Sequence, residues 1–146
     1  MDNKNPRKKS RKEKITIGLI EKVTVIGSNG SVETMAKFDT GAARNSIDYE
    51  LAAKAGVGPV ISSVKVKSAS GEGRRPIVRA VIEVKGKQFK TRANLEDRSD
   101  MKYKVLIGRN LIYSNFIIDV EKSHTSHKEN STRDYLLNIA SLKRKE

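Results

Sequence analysis

The chain has no cysteine, which removes a disulfide framework, a thiolate nucleophile and a cysteine-based zinc site at once. Histidine is nearly as scarce. His124 and His127 stand three residues apart near Glu129, in a polar stretch without the HExxH arrangement. They read as solvent-exposed side chains, and an all-carboxylate zinc site would be unusual, so no metal is expected. No apolar run approaches the roughly 20 residues of a membrane span. The basic N-terminus lacks the apolar core of a signal peptide, so the expectation is a cytoplasmic protein with no membrane partner. No Gly-Lys-Ser/Thr loop offers a nucleotide phosphate site, and no cofactor is expected. Aromatic residues make up only 5% of the chain, which leaves few stacking platforms for nucleic acid.

Positive charge is abundant. The formal net charge is +13 over 146 residues, of which residues 1–14 (MDNKNPRKKSRKEK) supply +5, residues 15–121 +5 and residues 122–146 +3. Segment 1–14 has one hydrophobic residue, Met1, and cannot offset its ordering entropy by burial, so a disordered basic tail is expected. Such a tail can neutralise phosphates, which keeps a nucleic-acid-associated protein as an alternative, but no nucleic-acid-binding motif accompanies the charge. Residues 122–146 read as a polar linker followed by a helix. Thr132 would cap it, and Tyr135, Leu136, Ile139 and Leu142 would form an apolar stripe.

Between the tails, short β-branched runs alternate with Gly and Asn turns. ITIGLIEKVTVIG suggests one or two strands, Ser28-Asn29-Gly30-Ser31 a turn, and VETMAKF a returning strand that ends at Asp39. Asp48 is placed to cap a helix YELAAKA that Gly56 terminates. Strand-like runs at 60–68 and 75–85 flank a glycine-bearing tip, Ala69-Ser70-Gly71-Glu72-Gly73-Arg74, and a tighter turn at Lys85-Gly86 leads into 87–95. Val105-Leu106-Ile107-Gly108 reads as a short buried strand, Arg109–Ile112 as a helical turn and FIIDV as a last strand. Roughly seven short strands with little helix predict an all-β, barrel-like domain over residues 15–121.

Asp39-Thr40-Gly41 follows the apolar end of its strand. An aspartate on a turn commonly serves its own backbone. Here it sits at the edge of a core, beside a hydroxyl that can donate and accept and a glycine that admits another backbone. One carboxylate is poor equipment for hydrolysis, whereas two sharing a proton supply a general base and a general acid. The chain contains one such turn, so the second carboxylate would come from a second copy across a two-fold axis.

Phe38-Asp39-Thr40-Gly41-Ala42 resembles the active-site turn of retroviral-type aspartic proteases, and Val105-Leu106-Ile107-Gly108-Arg109-Asn110-Leu111, about 65 residues later, resembles their second signature. With Asp97-Arg98-Ser99-Asp100-Met101, these motifs are similar to the retropepsin-like proteins encoded beside or fused to ATP-grasp ligases, a family labelled "ATP-dependent zinc protease". The resemblance implies a homodimeric closed barrel with a flap hairpin around 68–76. It makes Asp39 the catalytic carboxylate, Thr40 a contact across the dimer axis, Gly41 a backbone offered to substrate, and Thr40, Gly41 and Ala42 the active-site turn at the dimer contact. Gly108 would pack beneath that turn, with Ile107, Arg109 and Asn110 as its support. In the viral enzymes the corresponding arginine pairs with an acid four residues past the catalytic one, where this chain has Ala43 and then Arg44. Asp48, Asp97 and Asp100 are the candidate replacements. Gly71 and Gly73 of the flap would meet substrate, and Arg44 with Arg74 and Arg75 would favour an acidic, glutamate-rich peptide. The alternative within the fold is a catalytically silent dimeric peptide-binding module.

Overall fold

The computed structural model describes residues 12–69 and 71–122, so most of the basic N-terminal tail and the expected C-terminal helix lie outside the described residues. Among the described residues, nine strands and two helices follow in the order β1 (Ile15–Ile17), β2 (Ile20–Gly27), β3 (Gly30–Phe38), β4 (Asn45–Asp48), α1 (Tyr49–Ala55), β5 (Val60–Ser68), β6 (Gly71–Val84), β7 (Lys87–Glu96), β8 (Val105–Ile107), α2 (Arg109–Ile112) and β9 (Phe116–Ile118). The sheet order is β2-β3-β8-β4-β7-β6-β5, and a second pairing of β2 with β6 closes six of these strands into a barrel. The expected all-β barrel with few short helices is the architecture found.

Alternation builds the walls. Val23 and Val25 on β2, and Val78, Ala80, Ile82 and Val84 on β6, point into the core while their neighbours face out. Phe38, at the end of β3, is 1% exposed and meets Phe116 edge-on at 5.4 Å, and Phe116 in turn meets Phe89 at 5.1 Å. Each such ring pair contributes about 0.5–1.5 kcal/mol beyond its buried area, and the cluster fixes the residue immediately before Asp39.

The hairpins sharpen the sequence reading. Lys85 and Gly86 both have positive φ, 52° and 79°, the geometry a two-residue turn needs to match strand twist. The β5–β6 hairpin is longer than its glycines suggest: the ladder continues through Lys65↔Arg74, Val66↔Gly73, Lys67↔Glu72 and Ser68↔Gly71. Gly71, Gly73 and Arg74, read as tip, are therefore strand residues. β1 and β9 pair in parallel, Ile15 beside Phe116, bringing the two ends of the domain together. Asp48 caps α1 by accepting from the Glu50 amide at 3.2 Å, and Gly56 ends it in the left-handed region at φ 75°. β4 is a strand the sequence reading missed. It lies between β7 and β8, and all four of its residues are buried.

Candidate active site

Asp39 leaves β3 half-buried on a turn whose own backbone holds it. Its amide donates to the Ile107 carbonyl at 2.8 Å, its Oδ1 accepts from the Gly41 amide at 2.8 Å, and its carbonyl accepts from Ala42 at 3.2 Å. The carboxylate is thereby aimed by local bonds, while Thr40 and Gly41 remain exposed.

A second layer of backbone lies against this turn. Arg109 and Asn110, the first residues of α2, donate their amides to the carbonyls of Ala42 at 2.8 Å and Ala43 at 3.2 Å. Gly108 is packed so closely that a Cβ there would stand 2.4 Å from the Arg44 carbonyl oxygen and 2.9 Å from that of Ala42. The Arg109 guanidinium donates to the Thr40 carbonyl at 2.9 Å. The structure thus joins Asp39, Thr40, Gly41 and Ala42 to Ile107, Gly108, Arg109 and Asn110 as one unit.

The acid expected opposite Arg109 is not supplied by any of the three candidates. Asp48 is committed to the α1 cap and to the Arg98 amide at 2.7 Å. Asp97 accepts from the Ser99 hydroxyl at 2.6 Å and the Ser99 amide at 2.9 Å. Those two bonds, helped by Lys104 and opposed by slight desolvation, hold its carboxyl below the usual carboxylate range. Asp100 makes no ion pair among the described residues.

The flap arginines are separated by the pleat. Arg74 donates to Ser63 Oγ across the ladder at 2.9 Å, whereas Arg75 forms an ion pair with Glu96 at 3.0 Å. Gly71 and Gly73 are exposed at the outer part of the same hairpin. Arg44 is exposed and lines a cleft of about 410 Å³ with Ala43, Ser62, Ile77, Arg92 and Asn110. Among the described residues no three His, Asp or Glu side chains converge as metal ligands, and both histidines lie outside that range.

Asn45 is the supporting residue the sequence reading missed. Fully buried, it accepts from the Gly108 amide at 2.9 Å and donates to the Arg92 carbonyl at 2.9 Å and to Thr91 Oγ1 at 3.0 Å. It ties the turn, β8 and β7 at one point. Its only trace in the sequence is a polar Asn-Ser just after the turn, which carries no strand signal.

The comparisons with known proteins agree with this fold. No curated protein matches the chain. Among solved structures, a Legionella pneumophila protein of unknown function is 21% identical over 77% of this chain and 98% of its own, with a TM-score of 0.54. EIAV protease complexed with the inhibitor HBY-793 is 18% identical over 64% of this chain and 83% of its own, with a TM-score of 0.50. These likenesses concern the fold. The family model described as RimB-like, retropepsin-like aspartic endopeptidase RimB, matches residues 50–129, a span that starts after the Asp39 turn and takes in the flap, β8 and α2. The zinc-protease label attached to the sequence resemblance has no counterpart among these matches. With 80 of its 146 residues matched, the chain belongs to the RimB-like family of retropepsin-like aspartic endopeptidases.

Proposed function

We propose that this protein is an aspartic endopeptidase whose active site forms when two copies bring their Asp39 side chains together. The observation that carries this reading is the Asp39 turn itself. It holds a half-exposed carboxylate, aimed by the Gly41 amide, on a backbone platform that a single added methyl group at Gly108 would disrupt. Such fixed placement is what positioned acid–base chemistry needs. The dimer reading is supported by apolar side chains left exposed near the β1–β9 pair: Leu19, whose carbonyl accepts from the Phe38 amide, with Ile117 and Val120.

In the pair, one Asp39 is ionised and the other protonated, because two carboxylates in contact share one proton. The ionised member takes a proton from water as its oxygen attacks the scissile carbonyl. The protonated member donates to the carbonyl oxygen, giving a neutral tetrahedral gem-diol. The Asp39 that took the water proton then protonates the amide nitrogen, while the other, now ionised, removes a proton from one gem-diol hydroxyl. The C–N bond breaks to give a carboxylic acid and an amine, and the pair again shares one proton. The β5–β6 hairpin would cover an extended peptide and bond its backbone. Arg44 beside the cleft supports a preference for acidic, glutamate-rich peptides.

The test is peptide cleavage followed by mass spectrometry on a panel that includes glutamate-rich sequences, with wild type and Asp39→Asn compared from pH 4 to 8 and oligomeric state measured alongside. Cleavage by wild type alone, at acidic stretches, is the expected result. Cleavage that survives in Asp39→Asn would overturn the assignment of the carboxylate. No cleavage by a protein shown to be dimeric would favour the peptide-binding module.

A further inference from the structure

The outer face of the β6–β7 hairpin carries a row of cross-strand pairs whose charges balance at one end and not at the other. At the flap end Arg75 is neutralised by Glu96 at 3.0 Å, and the other oxygen of Glu96 takes Arg98, also at 3.0 Å. The register then pairs Ile77 with Asn94, Arg79 with Arg92 and Val81 with Lys90. Two arginines therefore stand directly opposite each other, with a lysine next in the row. All three are exposed, and among the described residues their side chains make no ion pair or hydrogen bond. Like charges directly opposite destabilise a sheet, by about 0.2–1 kcal/mol. The next outer-face residue on β6 is Glu83, opposite Gln88, so the basic run is bounded.

These cations lie in a hollow. A cavity of about 1000 Å³ is lined by Arg79, Lys90 and Arg92, and is walled by Gly27 at the end of β2 with Ser28 beyond it and by Gly56 and Val57 after α1. Arg92 also lines the 410 Å³ cleft that holds Arg44, so one residue borders both spaces. From Asn94 in the cleft to Lys90 in the hollow is four residues of strand, about 13 Å, a length that four residues of extended peptide also span.

We propose that this hollow is an anion-binding exosite, in which Arg79, Lys90 and Arg92 take the carboxylates of an acidic polypeptide segment continuing out of the cleft. The inference rests on the reading of the cleft as a peptide site and adds a second, separate point of attachment. Guanidinium groups suit carboxylates because their paired N–H donors match both oxygens. None of the residues lining the hollow is aromatic, so it offers no aromatic platform for stacked bases, which favours a peptide over a nucleic acid. An occupant held there would keep a long acidic chain attached while successive bonds pass the Asp39 turn.

The test is binding rather than cleavage, so that it does not depend on the catalytic reading. The Asp39→Asn protein is titrated with fluorescent glutamate hexamers and dodecamers in about 150 mM salt, where exposed charges beyond roughly 8 Å are screened. The dodecamer is expected to bind at least tenfold more tightly than the hexamer. Arg79→Ser/Lys90→Ser is expected to erase that difference, leave hexamer binding unchanged and melt as the parent does. The pair Lys22→Ser/Lys102→Ser, which removes the same charge from other exposed positions, controls for net charge. The exosite is overturned by no preference for the longer peptide, by an equal loss in both double variants, or by no loss in either. Tighter binding of a uridine dodecamer, lost in Arg79→Ser/Lys90→Ser, would make the hollow a nucleic-acid surface and also overturn it. If wild type cleaves nothing while the binding results hold, the hydrolase reading fails and the exosite stands.

Discussion

Gly108→Ala is the sharpest test of how the site is held. The added Cβ would lie 2.4 Å from the Arg44 carbonyl oxygen, 2.7 Å from its carbon and 2.9 Å from the Ala42 oxygen. These are main-chain atoms of the Asp39 turn, with no flexible side-chain end to give way. Gly108 has φ −102° and ψ −173°, extended backbone that alanine adopts freely, so the cost is steric alone. Relief requires β8 and α2 to back away from the turn. That stretches the bonds from Arg109 to Ala42 at 2.8 Å, from Asn110 to Ala43 at 3.2 Å and from Gly108 to Asn45 at 2.9 Å. Overpacking costs about 1–3 kcal/mol and each weakened bond up to about 1 kcal/mol, so a loss of about 2–4 kcal/mol is expected. Urea unfolding should show it as a lower midpoint at unchanged slope. Gly73→Ala is the control, because no atom lies within 4 Å of the Cβ it would add. Peptide cleavage should fall by more than the unfolded fraction explains, since the turn itself is displaced. Gly108→Ala within about 0.5 kcal/mol of the parent and cleaving as well would refute the claim that close backbone contact sets the turn.

Other perturbations separate the remaining supports. Asn45→Ala strands the buried Gly108 amide and removes bonds to Thr91 and Arg92, so urea unfolding should show a loss of about 2–4 kcal/mol. Asp48→Ala removes both the α1 cap and the acceptor for the Arg98 amide, and about 1–3 kcal/mol is expected, with Asp48→Asn losing less because it keeps an acceptor oxygen. The Asp97 carboxyl is held below its ordinary value, first by the Ser99 hydroxyl. Its stabilising contribution is therefore complete above the unfolded pKa near 4 and is lost as pH falls through the lower folded value. An NMR titration should place Asp97 below its free value in the parent and move it upward in Ser99→Ala; an unmoved pKa would refute the assigned cause.

What could be read from the sequence was governed by local chemistry. The helix at 49–55 was legible because Asp48 and Gly56 mark its ends by backbone geometry. The Lys85-Gly86 turn was legible for the same reason. β4 was not, because Asn45, Ser46 and Asp48 are poor strand formers and both faces of the strand are covered. Its polar groups are satisfied by partners far along the chain, Asn45 by Thr91 and Ser46 by Asn94. The glycines of the flap misled in the opposite sense. Ladder bonds need only backbone, so Gly71 and Gly73 extend the hairpin that their composition seemed to interrupt. The Asp39 turn itself was readable as a motif, but the residue that joins it to β7 was not.

The lost acid near Arg109 shows how the same platform is kept with different charges. With alanine at position 43 there is no carboxylate to receive the guanidinium, and Arg109 donates instead to the Thr40 carbonyl. A carbonyl accepts that bond without cancelling the positive charge. The main-chain bonds from α2 to Ala42 and Ala43 keep the turn attached in its place. The turn is thus held by main-chain and guanidinium–carbonyl bonds, and among the described residues neither Arg109 nor Arg44 has a carboxylate partner. An aspartate restored at position 43 would compete with Thr40 for Arg109 and neutralise one of these charges. Ala43→Asp is therefore expected to keep the fold and weaken binding of glutamate-rich peptides by a few-fold in about 150 mM salt, with neutral peptides unaffected. Equal effects on both peptide classes would mean that the charge of the turn does not select the ligand.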